Sequence, residues 1–339
     1  MRVLMILIML FFIGCQDKKQ VPVVIDLSGN YSSIGMGLKN GILLAEDNDI
    51  HFKFYDDKGD LETTKNIDKK LILEHKPLVI GHVTSSITQK VLPLFNKSKT
   101  ILFSPTASTK ELAGIDDNFV RIQPVKNFHS IANVLKYIST FTNSKKINVV
   151  YEKGNKAYVF SLISALKDKR NKYLKLNKVI GANKEVPISK IDKNIPLCII
   201  SSPKFGAELV KKLAKTGFNS FIILSGSAFT KEFITLAGEA GEGVLFFTSF
   251  NPNSEDKKYL EFKDKFISRF GYEPGSFELK GYEIAQITKK VIDKKNIKKA
   301  LINHTFNGIQ GKIHVDKYGD TIRETHIFIV NNSTFEKVE

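Results

Sequence analysis

The sequence predicts an α/β protein built from two doubly wound parallel-sheet lobes. Short apolar runs alternate with helical patterns over most of the chain, as parallel strands covered by helices on both faces require. The alternation comes in two successive series, so two sheets are expected. At 339 residues, 42% hydrophobic and 25% charged, the chain is long enough and apolar enough for two cores.

The first residues stand apart. Met1-Arg2 supplies a positive charge, VLMILIMLFFI (Val3 to Ile13) is uninterruptedly apolar, and Gly14-Cys15 ends the run before polar Gln16 and Asp17. The run is too short to cross a bilayer as a helix but suits the apolar region of a signal peptide. A small residue and a cysteine at its end resemble the bacterial lipobox, with Phe12 where a leucine is usual. Residues 1–15 are therefore expected to be a lipoprotein signal peptide with lipid on Cys15, and 16–20 a tether. An uncleaved anchor or a plain secretory signal are the alternatives, and each exports the body. Lasting attachment to the membrane takes two or more acyl chains.

The elements follow in order. VPVVIDL reads as a strand, and IGMGLKNGILLAED as a helix with Ile34, Leu38, Ile42 and Ala45 at helical spacing. HFKFYDD is a strand by alternation, LETTKNIDKKLILEH a helix, PLVIG a strand, ITQKVLPLF a helix, TILFS a strand and STKELAG a short helix. NFHSIANVLKYISTF is helical, INVVYE extended and AYVFSLISALKDKR helical; IPLCIIS, SFIILSG and GEGVLFFTSF are then strands separated by helices. Two long helices flank GYEPGS, and GIQGKIHVDKYGDTIRETHIFIV reads as strands turning at Asp316 to Asp320.

Four loops fall at the carboxyl ends of predicted strands, where open α/β sheets bind ligands: SGNYSSIG, GHVTSSIT, SPTAST and LSGSAF. All are made of Gly, Ser, Thr and Ala with few other residues. In GHVTSSITQ, Ser86 followed by Gln89 fits a helix capping box. Ser85 and Ser86 at a strand-to-helix turn equally suit an anion, which gains from the free N–H groups there. Hydroxyls in all four turns favour ligand contact, because caps alone do not need them in each.

The net charge is +16, carried by 46 lysines and only five arginines. The lysines are dispersed among acids, as in KKLILEHK, which reads as a solvated surface; nucleic-acid readers rely on arginine and aromatic contacts. No nucleic-acid partner is expected. Besides Cys15 there is only Cys198, in the apolar run IPLCIIS, most simply a buried thiol, and the histidines show no metal-ligand spacing. No metal and no cofactor are expected. Gly35-Met-Gly37-Leu-Lys-Asn-Gly41 misses the dinucleotide fingerprint by one residue, and there is no phosphate-binding loop and no GxSxG elbow, so an enzyme is not expected.

In order along the chain, VIDLSGNYSSIGMGLKNGILLAED, FYDDKGD, VIGHVTSSITQKVLPLF, ILFSPTASTKEL, NFVRIQP, GEGVLFFTSFNP, GYEPGSFELKGYEIAQ and GIQGKIHVDKYGD resemble the type I periplasmic binding proteins, and within them the leucine/isoleucine/valine-binding branch. The resemblance implies the type I periplasmic binding protein fold, two α/β lobes joined by three hinge crossings and closing on a ligand. It places lobe 1 at 21–124 plus 250–324 and lobe 2 at 125–249 plus 325–339. It implies a monomeric solute-binding component of an ABC importer, with permease subunits as partners. The alternative is a receptor of the same fold that reports to a membrane sensor.

By the same resemblance a ligand carboxylate is held by Ser85 and by Thr106, Ala107 and Ser108. Tyr158 stands where an aromatic closes over the ligand, although it equally suits a core position at a helix start. Tyr31 is placed to rim the cleft, and Tyr282 is a contact or a core residue. Two departures matter. Gly226 occupies the place of the acid that pairs with an amino-acid ammonium, and Ile34 that of an aromatic. Without the acid, a buried ammonium lacks compensation. The expected ligand is an acid or amide without an ammonium rather than leucine or valine.

Overall fold

The computed structural model describes residues 19–183 and 185–338; the expected signal peptide, with Cys15, and most of the expected tether lie outside the described residues. The first sheet contains β1 (Lys19–Ile25), β2 (Ile50–Asp56), β3 (Leu78–Gly81), β4 (Ile101–Ser104) and β5 (Phe119–Arg121). All are parallel, in the order β2-β1-β3-β4-β5. Its central strands are continuous apolar runs because helices cover both faces; Val23, Val24, Ile80 and Phe103 are wholly buried. Those helices are α1 (Ser32–Ala45), α2 (Leu61–Leu73) and α3 (Ser85–Asn96).

The second sheet repeats the plan. β6 (Lys146–Glu152), β7 (Lys175–Ala182), β8 (Leu197–Ile200), β9 (Ile222–Ser225) and β10 (Leu245–Thr248) lie in the order β7-β6-β8-β9-β10, again parallel. With them run α4 (Phe128–Phe141), α5 (Lys156–Leu166), α6 (Pro203–Ala214) and α7 (Lys231–Ala237). A small antiparallel sheet of β11 (His304–Asn307), β12 (Lys312–Val315) and β13 (Thr321–Ile322) packs Phe306, Ile313 and Val315 into the first core. β14 (His326–Asn331) and β15 (Thr334–Lys337) return to the second sheet, β14 antiparallel to β10. The chain thus passes between the sheets three times, at 122–127, 249–256 and 323–325.

Three helices complete the C-terminal half: α8 (Lys257–Phe270), α9 (Ser276–Val291) and α10 (Ile297–Leu301). α9 lies along α1 at very close range, and glycines permit it. A side chain at Gly41 would strike the Glu278 carbonyl, and one at Gly281 would strike that of Leu38. The glycine run that nearly matches a nucleotide fingerprint is therefore occupied with helix packing. α8 turns Tyr259, Phe262 and Phe266 into the second core, beside Phe229, Phe233, Phe246 and Phe328.

Some expectations shift. The cap of α3 is Thr84, whose hydroxyl accepts from the Ile87 N–H at 3.3 Å, so Ser86 is not the cap residue of a box with Gln89. STKELAG yields only a 3-10 turn over Lys110–Leu112. β7 is an edge strand that buries only one of its eight residues, so it lacks the apolar signal that marks its neighbours.

Candidate binding cleft

The carboxyl ends of both sheets face one gap, about 580 Å³ when its mouth open to solvent is counted. Since each sheet reverses strand order beside its first strand, two such switch points meet across the gap. The first lobe contributes Tyr31 and Ile34 after β1, Val83, Thr84 and Ser85 after β3, and Thr106 and Ser108 after β4. Across from them stand Asn155 and Tyr158 after β6, Gly226 and Ser227 after β9, and Thr248 and Ser249 at the end of β10. Gln123 and Lys126 on the first crossing and Phe277 and Lys280 on α9 complete the lining.

The wall on the first lobe is held from behind. The Ser108 N–H donates to Ser85 Oγ (3.0 Å), and the Thr106 hydroxyl donates to the carbonyls of Val83 (2.8 Å) and His82 (3.0 Å), which binds the two turns together. Arg121 is wholly buried; its Nη1 donates to the Thr109 carbonyl (2.8 Å), while Nε and Nη2 reach Asp320 Oδ1 (2.9 and 2.6 Å). It thereby ties the loop carrying Ser108 to the turn before β13. His82 sits buried between Asp68 (3.1 Å) and Asp57 (3.6 Å). Burial would lower its pKa, but the two carboxylates hold the imidazole charged up to about 10.

Two helix N-termini converge here. The Ser86 N–H of α3 donates to Asn155 Oδ1 (3.1 Å), and the Ala157 N–H of α5 donates to Ser86 Oγ (3.0 Å). Each helix thus satisfies one free N–H on a residue of the other lobe, and Asn155 caps no donor of its own helix. Further bonds close the same edge: Thr109 Oγ1 donates to the Ala157 carbonyl (3.1 Å) and the Lys110 N–H to Ser161 Oγ (3.0 Å). Both helix ends bring positive potential toward the gap.

The floor carries the charge. Lys126 is 3% exposed and Lys280 6%. Burial pulls the Lys126 ammonium down to about 8, and burial with repulsion from Lys126 and Arg323 pulls Lys280 down to about 7. Lys280 donates to Ser276 Oγ (2.6 Å), and the Lys126 ammonium lies 5.5 Å from the centre of the Phe247 ring. Among the described residues the lining holds no aspartate or glutamate. Burial also raises the Tyr158 phenol to about 12 and, with Glu152 nearby, raises Tyr31.

Of the residues singled out in the sequence, Tyr31, Ser85, Thr106, Ser108, Tyr158 and Gly226 line the gap. Three stand elsewhere. Ser86 joins the lobes at the rim. The Ala107 side chain is buried with Val91, Phe95 and Leu112, in the core on the outer side of its loop. Tyr282 packs against Phe262 with ring centres 5.0 Å apart, because it falls on the α9 face turned toward α8. Sequence reasoning missed Gln123, Asn155, Phe277 and both lysines. Lys280 did leave a trace: it interrupts the buried stripe of Phe277, Ile284, Ile287 and Val291 at helical spacing. Lys126 left none, being one lysine among 46.

Two α/β lobes, three crossings and a lined gap between them make this the fold of the type I periplasmic binding proteins, clamps for small solutes. Within that class the chain resembles the leucine/isoleucine/valine-binding branch. A scan against protein-family models finds no match. A curated relative, the leucine-, isoleucine-, valine-, threonine- and alanine-binding protein of Pseudomonas aeruginosa, is 22% identical over 281 residues, 78% of this chain and 74% of the relative. The branched-chain amino acid transporter substrate-binding protein LivJ of Streptococcus pneumoniae, solved with isoleucine, superposes with a TM-score of 0.82 at 19% identity. The overlap covers 94% of this chain and 98% of LivJ. An ABC transporter solute-binding protein of R. palustris, solved with benzoate, gives 0.80 at 16% identity, covering 95% of each chain. At such identities the structural likeness is one of fold.

Proposed function

We propose that this chain is the extracytoplasmic solute-binding component of an ABC importer and that its solute is a small organic anion without an ammonium group. One observation carries the ligand class: the gap is lined by hydroxyl donors and two buried lysines, with no carboxylate among the described lining residues. A carboxylate there gains charge-assisted hydrogen bonds of roughly 1.5–3 kcal/mol each. An amino acid's ammonium would instead meet like charge, with Gly226 where a compensating acid would be needed. The relatives span both kinds of ligand, isoleucine in one and benzoate in another, so the fold permits either. Being transporter components, they favour import over the sensor alternative.

The remaining parts of the reading rest on the sequence. Export and anchoring follow from the leader and Cys15, and labelling with a radioactive fatty acid should be lost in Cys15→Ala. The lobes are taken as 21–124 with 250–324 and 125–249 with 325–339, and the protein as a monomer. Ser85, Ser108, Tyr31 and Tyr158 are assigned to the ligand, and Thr106, whose hydroxyl proton goes to the Val83 and His82 carbonyls, to the wall that carries them. Calorimetry on the chain without residues 1–15 tests the ligand class. Small carboxylates should bind while leucine, isoleucine and valine do not; micromolar binding of any of those three would overturn it.

A further inference from the structure

The floor of the gap holds more positive charge than one carboxylate neutralises. The Lys126 ammonium has no hydrogen-bond acceptor among the described residues, only the Phe247 ring. It comes from the first crossing, where its own backbone N–H donates to the Ser108 carbonyl (2.8 Å), which ties its stretch of chain to the hydroxyl corner. Lys280 comes from α9 and bonds only the Ser276 hydroxyl. The acids near it are engaged elsewhere. Glu283 pairs with Arg323 (2.8 Å) and accepts from the Ile309 N–H, and Glu278 accepts from the Gly275 N–H and from Tyr272.

The two ammonium groups repel one another. A single carboxylate compensates one and leaves the other either charged without a partner or stripped of its proton, and a second anionic group removes that cost. Ile34, Val83 and Phe277 in the same lining offer apolar surface for a short carbon skeleton. We propose that the solute carries two anionic groups, one at the Ser85–Ser108–Lys126 corner and one at Lys280, and is therefore a small dicarboxylate rather than a monocarboxylate. This rests on the anion-binding reading above and narrows it.

Calorimetry at pH 7 on matched pairs tests it: butanoate against succinate, pentanoate against glutarate, and benzoate against the three benzenedicarboxylates. The dianion of at least one pair should bind about tenfold or more tighter than its monoanion, since a charge-assisted contact is worth at least that. It should also take up more protons, read from buffers of different ionisation enthalpy. Lys280→Met, with Lys280→Gln as a second variant and circular dichroism to confirm folding, should erase the preference, bringing each dianion's affinity to within about threefold of its monoanion's. If monocarboxylates bind as tightly as their partners in every pair, or the preference survives in both folded variants, the dianion inference is wrong while the anion reading stands. If neither kind binds wild-type protein, both are wrong.

Discussion

Lys280 and Lys126 set the chemistry of the gap. Because burial holds both below the ordinary lysine range, with Lys280 near 7 and Lys126 near 8, an arriving anion must raise them to be held well. Anion binding therefore takes up protons, and affinity should fall as pH rises from about 7 to 9 when followed by calorimetry. The charged neighbours of Lys280 are Lys126, Arg323, Glu278 and Glu283, while Tyr31 and Tyr158 stay neutral in that window. The two lysines' contribution to the stability of the unliganded protein should move the other way. Each has lost in the fold a proton that the unfolded chain still binds, so their contribution rises with pH between about 7 and the ordinary 10.5. His82, charged in the fold up to about 10, contributes the opposite slope and must be separated from it by comparison with Lys280→Met. At the hydroxyl corner, Ser85→Ala and Ser108→Ala should each weaken carboxylate binding by about tenfold or more, the worth of one charge-assisted bond.

Loops at strand ends hold these side chains, and each loop is fixed by an element behind it. Arg121, from a strand of only three residues, spans from the Thr109 carbonyl to Asp320. Arg121→Met should cost about 3–5 kcal/mol in denaturant melts, because it strands a buried carboxylate, and should weaken ligand binding through the freed 107–109 loop. Helix packing is equally unforgiving. Gly41→Ala drives a methyl into the backbone of α9 and should cost about 1–3 kcal/mol or more. Where a pattern recurs in sequence it was readable: the alternation of strands and helices, the apolar stripe of α1, the turn at Asp316 to Asp320. β5, β7 and α10 were not readable, being too short or too exposed to show a period.

As a whole the molecule is a clamp drawn closed, with α3 and α5 bonded through each other's first turns. Ser86→Ala removes the acceptor of the Ala157 N–H, worth about 1 kcal/mol. Ligand affinity should fall about fivefold, and small-angle scattering should show a larger radius of gyration at equal ligand saturation below 90%. The Ser85–Ser108 wall, made within one lobe, should be untouched by this change, so the effect reports closure rather than contact.

The amino-acid sequence by itself determined the alternating architecture, the hydroxyl-rich turns and the absence of an acid at Gly226, since each is written in residues near one another along the chain. Tertiary structure alone decided which hydroxyls face the gap, that Ser86, Ala107 and Tyr282 turn elsewhere, and that Lys126 and Lys280 meet on its floor. The reason is range. Periodicity and turn chemistry act over a few residues, whereas a buried charge is defined by what surrounds it, here by segments more than 150 residues apart.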